Sequence, residues 1–389
     1  MKVVIINPTY NEKGNIERLI KILEEEVFPK IKNHEMHILV ADDNSPDGTA
    51  DIIRDLMKKY KNLHLILGPK HGLGAAYVRA MTHAIEELGA DIVFEMDADL
   101  FHDPNKVPEF LQKIDEGYDF VVGTRYSGGG SIPQTWGLHR KIFSIVGNLM
   151  VRSILMRFWI HDWTGGFRAL RKEVFLKEKA ELTAFRGYTF QVSFLHKVVR
   201  DGFKITEVPF HATDRTMGRS KIAPKEYIID LLKYVIISRF WEILRSPFPK
   251  YALTGFTGYI INAVFLELFT DVFNIHPGIA GAMGAELSII WNFILNNFWA
   301  FSKYKITELS KLPFKFIQFN LVSAGSVVLI GSVITVGVSI FGDTRFIRQI
   351  FLVIAIGFFV IPYSYSMYNF FIWKRWKPRF LHKIQSLLG

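Results

Sequence analysis

The stretch MDADLFHDP, Met96 to Pro104, places two aspartates one residue apart at the end of an apolar run. The run DIVFEM predicts a buried strand. Residues i and i+2 of a strand point to the same face, so Asp97 and Asp99 are expected to converge on one point. Two such carboxylates repel unless a cation neutralises them, and Mg²⁺ or Mn²⁺ prefers oxygen ligands, with a diphosphate supplying the rest. Paired aspartates are also common as loop caps, so both interpretations stay open.

Two nearby loops carry residues suited to a nucleotide. In NPTYNE, Pro8 stiffens the turn, Tyr10 offers a stacking ring and Glu12 an acceptor. In ADDNSPDGT, Asp42 and Asp43 end a strand, as acidic residues do when they read ribose hydroxyls or a base edge, although NSPDGT would also serve as a helix cap. A third loop, GPKHGLGAAYVRA, enters a helix without the Walker spacing or the dinucleotide fingerprint. Together with the aspartate pair, these loops predict a composite site.

The elements that position these loops alternate between β-strand and α-helix patterns up to about Lys250. The predicted strands are VVIIN, HILVADD, LHLIL, DIVFEMD and FVVGTRY, and amphipathic helical patterns separate most of them. This alternation predicts a mainly parallel sheet covered by helices on both faces. Ligands bind beyond the carboxyl ends of the strands in such sheets, which is where the loops above are expected to lie.

Four long apolar stretches follow Lys250, each of about 20 residues or more, long enough to cross a ~30 Å hydrocarbon core. They are roughly Tyr251–Phe273, Pro277–Phe301, Phe319–Phe341 and Phe346–Trp373. Lysines and arginines concentrate in the loop 302–315 and in the tail after the last stretch. The positive-inside rule therefore predicts a multi-pass integral membrane protein with both termini and the catalytic part in the cytoplasm. The start, MKVVIINPTYNE, turns polar too soon for a signal peptide.

Three further features concern the membrane part. The segment EYIIDLLKYVIISRFWEILR, residues 226–245, leaves a wide apolar helical face, which suits a helix in the headgroup layer or one buried between domains. The segments NNFWAFSKYK and YNFFIWKRWK form a weak internal repeat or mark an aromatic belt twice. Glu286 falls inside the second span, where an ionisable group is costly and is expected to face a partner, with Asn292, Asn296 and Asn297 as candidates.

Composition narrows the function classes. The chain has 47 Lys+Arg against 37 Asp+Glu, a formal charge of +10, which suits anionic lipid, phosphate ligands or nucleic acid. It has no cysteine, which excludes disulfides and thiolate metal sites. The membrane spans favour the lipid bilayer as a partner over nucleic acid, which is not expected. The sequence leaves an oligomer open.

Eight segments follow one another in an order that resembles the dolichol-phosphate (polyprenol-phosphate) mannose synthases, inverting family 2 glycosyltransferases of the GT-A fold. They are NPTYNE, ADDNSPDGT, MDADLFHDP, VGTRYSGGG, HRKIFS, DWTGGFRALRKEV, RGYTFQ and DRTMGRSK. The resemblance covers roughly residues 2–233, and the four spans resemble a GtrA-like membrane domain. It implies an α/β GT-A catalytic domain, Rossmann-like with a mainly parallel sheet, over residues 1–224. Amphipathic interfacial helices over 225–249 and an all-α four-helix transmembrane domain over 250–389 would follow.

The resemblance implies transfer of mannose from GDP-mannose to dolichyl or polyprenyl phosphate with inversion, using Mg²⁺ or Mn²⁺. It implies a metal at Asp97 and Asp99. The implied acceptor-phosphate residues are Arg125, Arg140 and Ser144, while Arg215 and Lys221 lie near the sugar and phosphates. The nucleotide-sugar residues expected from the loops and the resemblance together are Pro8, Tyr10, Glu12, Asp42, Asp43, Asp97, Ala98, Asp99, Asp162 and Arg215.

One position departs from the family: after DADL some members place a glutamine that completes the metal shell, and here Phe101 stands there. Phenylalanine cannot ligate a metal, so the ion needs water, His102 or further oxygens. The chemistry needs no general base, because a phosphate monoester has its second pKa near 6 and its oxygen is already a nucleophile. Asp162 is therefore expected to orient other groups rather than act as a base.

Two alternatives stay open. The same reaction with UDP-glucose is the nearer one, because related polyprenol-phosphate glucosyltransferases share the aspartate pair and the membrane tail. The farther alternative is a lipid carrier or flippase whose soluble domain is a degenerate binding module. The intact DAD and the set of arginines argue against the carrier.

Overall fold

The computed structural model describes residues 1–182, 187–213 and 224–376. The chain divides into two compact units, Met1–Arg239 and Phe240–Gly389. The first holds the mixed α/β elements and is called the catalytic domain below. The second holds long apolar helices and is called the membrane domain. The finer domain boundaries expected from the sequence stay predictions.

The catalytic domain is built on a seven-stranded sheet. Its strands are β1 (Lys2–Thr9), β2 (Glu35–Asp42), β3 (Leu63–Leu67), β4 (Ile92–Glu95), β5 (Phe120–Thr124), β6 (Arg168–Arg171) and β7 (Ile205–Pro209). The spatial order is β3-β2-β1-β4-β6-β5-β7, and β6 runs antiparallel to both of its neighbours while the other pairs are parallel. This sheet confirms the prediction of a mainly parallel α/β domain, and the long apolar helices predicted to follow it are described below.

Helices cover both faces of this sheet. They are α1 (Ile16–Lys21), α2 (Thr49–Lys59), α3 (Leu73–Glu86), α4 (Val107–Asp115), α5 (Leu138–Leu155), α6 (Lys172–Leu182), α7 (Gly187–Arg200) and α8 (Pro224–Arg245). Alternate residues of β1 enter different cores: Val3 and Ile5 pack with α1, α2 and α4, whereas Val4 and Ile6 pack with α3 and α5 to α8. This two-sided burial explains why the strands read as continuous apolar runs.

The turn NSPDGT serves as a helix cap, one of its two expected functions. Gly48 adopts a left-handed φ of 86°, which costs a glycine little, and α2 begins at the next residue. The Asp47 carboxylate accepts hydrogen bonds from the N–H and hydroxyl of Thr49 and from the N–H of Lys13. These bonds also lower the pKa of Asp47 against the opposing effect of burial. The turn therefore ties the start of α2 to the loop after β1.

The membrane domain contains α9 (Phe248–Glu267), α10 (Pro277–Leu295), α11 (Leu312–Phe341), α12 (Arg345–Ile354) and α13 (Ile361–Met367). With adjoining π-helical and 3₁₀ turns they form four helices long and apolar enough to cross a membrane: Phe248–Val272, Ile279–Ala300, Leu309–Phe341 and Phe346–Ile372. The third begins earlier than the sequence indicated. The chain is a multi-pass membrane protein.

The two repeated segments have the same local structure. Each contains a π-helical turn, Asn296–Ala300 in the first and Tyr368–Ile372 in the second. Phe301 and Trp373, which follow these turns at matching positions, are buried and stack with ring centroids 4.3 Å apart. Because these two rings form core contacts rather than a surface belt, the structure favours an internal repeat.

Glu286 differs from expectation. It lies exposed on α10 within its own unit, rather than buried against Asn292, Asn296 or Asn297. The amide groups have other neighbours: Asn292 reaches Gly258 of α9, where an added Cβ would lie 2.4 Å from its oxygen. The prediction that Glu286 faces one of these amide groups is therefore wrong.

Candidate active site

The two aspartates of DAD lie in a turn rather than on a strand, because β4 ends at Glu95. The alternation expected of a strand therefore does not extend to them. Asp99 is buried and one of its oxygens accepts the N–H of Phe101 at 3.1 Å, whereas Asp97 leaves 32% of its side chain exposed. Leu100 adopts a left-handed φ of 62°, a conformation that costs a non-glycine residue about 1–2 kcal/mol. Such strain is typical of functional turns.

A buried polar layer lies directly behind this turn. Glu95 of β4 and Arg168 of β6 face each other in the antiparallel register, both fully buried, with 3.9 Å between the nearest nitrogen and oxygen. Burial raises the pKa of Glu95 to about 7, against the opposing charge of Arg168. The hydroxyl of Tyr77, from α3, lies 3.5 Å from a carboxylate oxygen of Asp97. This layer was not predicted, although a glutamate inside an apolar strand, Glu95 in DIVFEM, indicates a buried polar contact.

The surroundings of Phe101 and His102 show whether either side chain could supply a third metal ligand. The Phe101 ring stacks on Trp136 at 5.9 Å with 7° between the planes, so it serves in packing. His102 is buried and its Nδ1 accepts the backbone N–H of Asp97 at 3.0 Å. In a neutral ring the hydrogen must then be on Nε2, which leaves that atom without a lone pair for a metal. His102 is therefore poorly suited to be the third ligand that the sequence left open.

The donor set fits a divalent cation that arrives with its substrate. Within the ranges that the structure describes, no group of three or more acidic or histidine side chains is arranged to hold a metal. Mg²⁺ typically binds through one or two carboxylates together with substrate phosphates and water. Asp97 and Asp99 supply carboxylates of that number and kind.

The last residue of β2, Asp42, and the next residue, Asp43, make different contacts. Asp42 is fully buried and accepts hydrogen bonds from the hydroxyl of Thr9 and from the hydroxyl and N–H of Ser45, at 2.6 to 2.9 Å. Its carboxylate thus holds the loops after β1 and β2 together. Asp43 instead pairs with the guanidinium of Arg79 at 2.8 Å. That arginine, on α3, was missed from the sequence.

The other residues predicted to contact the nucleotide, those of NPTYNE, lie at the same sheet edge. Pro8 is part of β1, opposite Ala41 of β2, rather than in the turn after it. The ammonium group of Lys70 lies 3.5 Å from the centre of the Tyr10 ring, a cation–π distance. Glu12 accepts a hydrogen bond from the side chain of Asn15 at 2.8 Å.

On the other side of β4, Arg125 and Asp162 form a buried bidentate ion pair. Nε and Nη2 of Arg125 donate to the two carboxylate oxygens at 2.7 and 2.8 Å, and its backbone N–H donates at 3.2 Å. Burial alone would raise the pKa of Asp162, but Arg125 and the N–H of Gly165 outweigh it and hold that pKa below its usual value. Asp162 therefore holds the guanidinium of Arg125 in place, and its lowered pKa makes it unsuited to take a proton.

Arg140 and Ser144 lie one turn apart on α5. The Arg140 guanidinium lies 3.9 Å from the Trp136 ring centre, and the Ser144 hydroxyl is hydrogen bonded to that of Tyr126. One turn further, Asn148 donates to Thr164 and accepts from the N–H of Trp163, which links α5 to the loop carrying Asp162. The structure thus places the three predicted acceptor residues, Arg125, Arg140 and Ser144, in one connected region. Trp136 and Asn148 were not singled out from the sequence.

Two predicted residues, Arg215 and Lys221, lie outside the described residues. Ala98 is buried between the two aspartates of the turn.

Two family models match the chain, one for each unit. Residues 4–177 match the glycosyl transferase family 2 model, and residues 250–373 match the GtrA/DPMS transmembrane domain. These matches, with the α/β sheet and the aspartate turn, define the class: a family 2 glycosyltransferase, GT-A-like in its catalytic domain, joined to a membrane domain.

Relatives narrow the class further. The chain is 32% identical over 317 residues to a dolichol-phosphate mannosyltransferase of Pyrococcus furiosus, covering 81% of this chain and 86% of the relative. It is 35% identical over 226 residues to a polyprenol monophosphomannose synthase of Mycolicibacterium smegmatis, covering 57% and 81%. The chain belongs to the dolichol-phosphate mannosyltransferase family.

Solved structures give a more distant likeness. A glucosyl-3-phosphoglycerate synthase from Mycobacterium tuberculosis, in a complex with Mn²⁺, UDP and its product, has 18% identity and a TM-score of 0.44, covering 61% of this chain and 79% of that one.

Proposed function

We propose that this enzyme transfers mannose from GDP-mannose to dolichyl or polyprenyl phosphate, with inversion, at the cytoplasmic face of a membrane. The observation that carries the proposal is the 32% identity to a dolichol-phosphate mannosyltransferase over 86% of that protein's length, a match that spans both units. The choice of GDP as the nucleotide rests on this similarity alone, because the contacts of Tyr10 and Asp43 suit any nucleoside.

On the donor side, Asp97 and Asp99 would hold Mg²⁺ or Mn²⁺ against the diphosphate. When bound, the ion neutralises the charge that develops on the departing nucleotide. The protein's own contribution is to fix the two carboxylates in the strained turn at Leu100, through the Phe101 N–H and the Tyr77 hydroxyl. Asp43 and the ring of Tyr10 would contact the nucleoside, while Asp42 keeps their loops together.

On the acceptor side, Arg125, Arg140 and Ser144 would hold the lipid phosphate. Arginine suits this task because it stays charged and its planar fork can match phosphate oxygens. Nε and Nη2 of Arg125 are bound to Asp162, so the contribution of this residue would be its positive charge. Asp162 would keep Arg125 in position. Since the phosphate oxygen is already ionised at neutral pH, the protein's task would be to bring it in line with the anomeric carbon. A single in-line displacement would then invert the configuration at that carbon.

The distribution of charge supports a proposed orientation of the membrane domain. The loop 302–315 and the segment after Trp373 carry most of the lysines and arginines near the spans, which favours the cytoplasmic side for both. The catalytic domain would then meet a nucleotide sugar made in the cytoplasm and a phosphate in the cytoplasmic leaflet.

The test is transfer from radiolabelled GDP-mannose, compared with UDP-glucose, to polyprenyl phosphate in membranes that contain the full chain. We expect metal-dependent mannolipid from GDP-mannose alone. Glucolipid from UDP-glucose would keep the chemistry and replace the donor. Absence of lipid product from both donors, in membranes where the protein is folded, would contradict the proposal and favour a carrier.

A further inference from the structure

His102, at the end of DADLFH, lies buried among phenylalanine rings. Its imidazole is about 1% exposed and stacks on Phe167, with ring centroids 5.0 Å apart and 12° between the planes. The rings of Phe101 and Phe210 meet it edge to face, with centroids 5.6 and 5.8 Å away. These contacts fix the plane of the imidazole, and therefore the directions in which its two nitrogens point.

Packing alone does not explain a histidine at this position. A phenylalanine would fill similar space in this aromatic cluster, whereas buried nitrogen atoms are costly unless they are paired. Nδ1 of His102 is paired, because it accepts the backbone N–H of Asp97 at 3.0 Å. The hydrogen of the neutral ring is then on Nε2, which makes that atom a donor. This donor faces the same residue, since Nε2 lies 3.9 Å from Oδ2 of the Asp97 carboxylate.

One rigid ring therefore contacts both the backbone and the side chain of Asp97. The bond to the backbone N–H holds the turn just beyond the end of β4 at Glu95. The contact with the carboxylate, at 3.9 Å, is longer than a hydrogen bond. It thus attracts the carboxylate oxygen without occupying its lone pairs, which stay available to a cation.

The other oxygen of the same carboxylate faces a second donor. The hydroxyl of Tyr77 lies 3.5 Å from Oδ1 of Asp97. Tyr77 is fully buried, and its ring lies parallel to that of Phe190 with 6.1 Å between the centroids. Tyr77 belongs to the core on one face of the sheet, whereas Phe167 and Phe210 belong to the core on the other face. The carboxylate is therefore flanked by two donors, each held by a different core.

We propose that His102 is a positioning residue which, with Tyr77, holds the carboxylate of Asp97 in the direction from which a divalent cation binds it. The inference rests on the proposed function, in which Asp97 is a metal ligand, and it gives His102 no contact with the cation. Asp99 is held differently, because the backbone N–H of Phe101 donates to its carboxylate. Partners that orient metal-ligating groups are typically worth about 10- to 100-fold in metal affinity.

Mn²⁺ binding tests the proposal without turnover. Purified full-length protein in detergent, with GDP, is titrated with Mn²⁺, and the free ion is measured by electron paramagnetic resonance. His102→Asn keeps an acceptor for the N–H of Asp97 but is too short to supply the distal donor, so we expect about tenfold weaker Mn²⁺ binding. His102→Gln, whose amide reaches as far as Nε2, should recover most of this loss. Tyr77→Phe removes only a hydroxyl with a long contact, so a loss of about threefold is expected.

The chain offers a matched control for each substitution. His34, like His102, is a buried histidine beside an aspartate, with Nε2 3.1 Å from a carboxylate oxygen of Asp115. It precedes β2 and so lies at the opposite end of the sheet from the candidate site. Tyr118 precedes β5 and packs against the same core as Phe167. His34→Asn and Tyr118→Phe should both bind Mn²⁺ as the wild type does.

Three further readouts separate positioning from folding and from catalysis. The melting temperature of His102→Asn and its GDP affinity in EDTA should match the wild type, because the turn keeps its backbone bond. Saturating Mn²⁺ should return its transfer rate to within about threefold of the wild type, whereas a group acting on the sugar or the acceptor would leave transfer slow at every Mn²⁺ concentration.

Unchanged Mn²⁺ affinity in both His102→Asn and Tyr77→Phe would overturn the proposal. So would a loss of GDP affinity in EDTA as large as the loss of Mn²⁺ affinity, since that result indicates general damage to the site. Tyr77→Phe keeps the test decisive even if His102→Asn does not fold, because only one hydroxyl is removed. A wild-type protein that binds no Mn²⁺ in the presence of GDP would instead refute the proposed metal at Asp97, and the role of His102 with it.

Discussion

The proposed donor and acceptor sides of the candidate site differ in how their charged side chains are buried and paired. On the donor side, the carboxylate of Asp97 is about one-third exposed and its contact with Tyr77 is long, at 3.5 Å. On the acceptor side, Arg125 is almost fully buried and bound through two parallel hydrogen bonds to Asp162. The proposed donor side would thus be completed by a cation and diphosphate, whereas on the proposed acceptor side Asp162 already positions Arg125.

This difference has a physical reason. In the proposed function a nucleotide sugar would bring its own counter-charge as a metal complex, and the partly exposed carboxylate of Asp97 stays in contact with water until then at little cost. On the proposed acceptor side Arg125 is buried within the catalytic domain, where an unpaired arginine would be costly. Pairing with Asp162 keeps that arginine charged and oriented before the lipid binds. The two sides should therefore respond differently to substitution.

The largest effect is expected on the donor side. Asp99→Ala removes a carboxylate that the proposed metal needs, and should lower transfer by about 10³-fold, the rate equivalent of several kcal/mol of lost charge stabilisation. Radiolabelled lipid is the readout, and membrane insertion should be unchanged. Asp55→Ala, an exposed acidic residue of α2, is the control. Transfer that persists unchanged in Asp99→Ala would remove the metal assignment.

Breaking the acceptor-side pair should affect both stability and rate. Asp162→Asn leaves Arg125 buried without its counter-charge, which typically costs about 3–5 kcal/mol in the free energy of unfolding. Because folding lowers the pKa of Asp162, the wild-type pair stabilises the fold at neutral pH and loses that effect as the pH falls below about 4. The variant should therefore lose less stability on acidification.

Denaturation of the two proteins across pH, with Asp51→Asn as an exposed-pair control, measures this prediction. Transfer should fall about 10²-fold, since a misplaced positioning group has effects of that size, while binding of GDP-mannose is retained. A variant with unchanged stability and weakened nucleotide binding would reverse the comparison.

The donor side could largely be predicted from the sequence. Its strands are buried on both faces, so VVIIN, HILVAD and DIVFE are visible as apolar runs, and the chemistry follows each run at once in the chain. Parallel strands bring such loops to one edge regardless of detail. What failed there was fine geometry: Pro8 belongs to β1, and the aspartates lie beyond the end of β4.

The acceptor side could be predicted only through resemblance, because its geometry depends on long-range pairing. Strand β6 reads RALR, which has no apolar pattern, and Arg168 is buried where β6 lies between β4 and β5, opposite Glu95. Likewise nothing local in TRY or DWTGG shows that Arg125 and Asp162, 37 residues apart, form a pair.

Position 101, where this chain has phenylalanine in place of the glutamine of some family members, gives a further test of the proposed donor side. Phe101→Gln supplies an amide oxygen where some family members carry one, and should lower the Mn²⁺ concentration for half-maximal activity by up to about tenfold, as a supporting ligand does. Phe101→Leu, which removes the ring without adding a ligand, is the control. If both variants need the same Mn²⁺ concentration as the wild type, the side chain at this position does not reach the metal.

The smallest expected effect concerns Trp136, which contacts both sides: its ring lies against Phe101 of the donor turn and under the guanidinium of Arg140. A cation–π contact contributes about 0.5–1 kcal/mol, so Trp136→Leu should raise the KM for the lipid acceptor about two- to fivefold. Trp136→Phe keeps an aromatic face and should stay close to the wild type. Steady-state kinetics with each substrate varied in turn separates the two contacts. A higher KM for the nucleotide sugar with an unchanged acceptor KM would assign Trp136 to the donor side, because the Phe101 contact would then matter more than the one with Arg140.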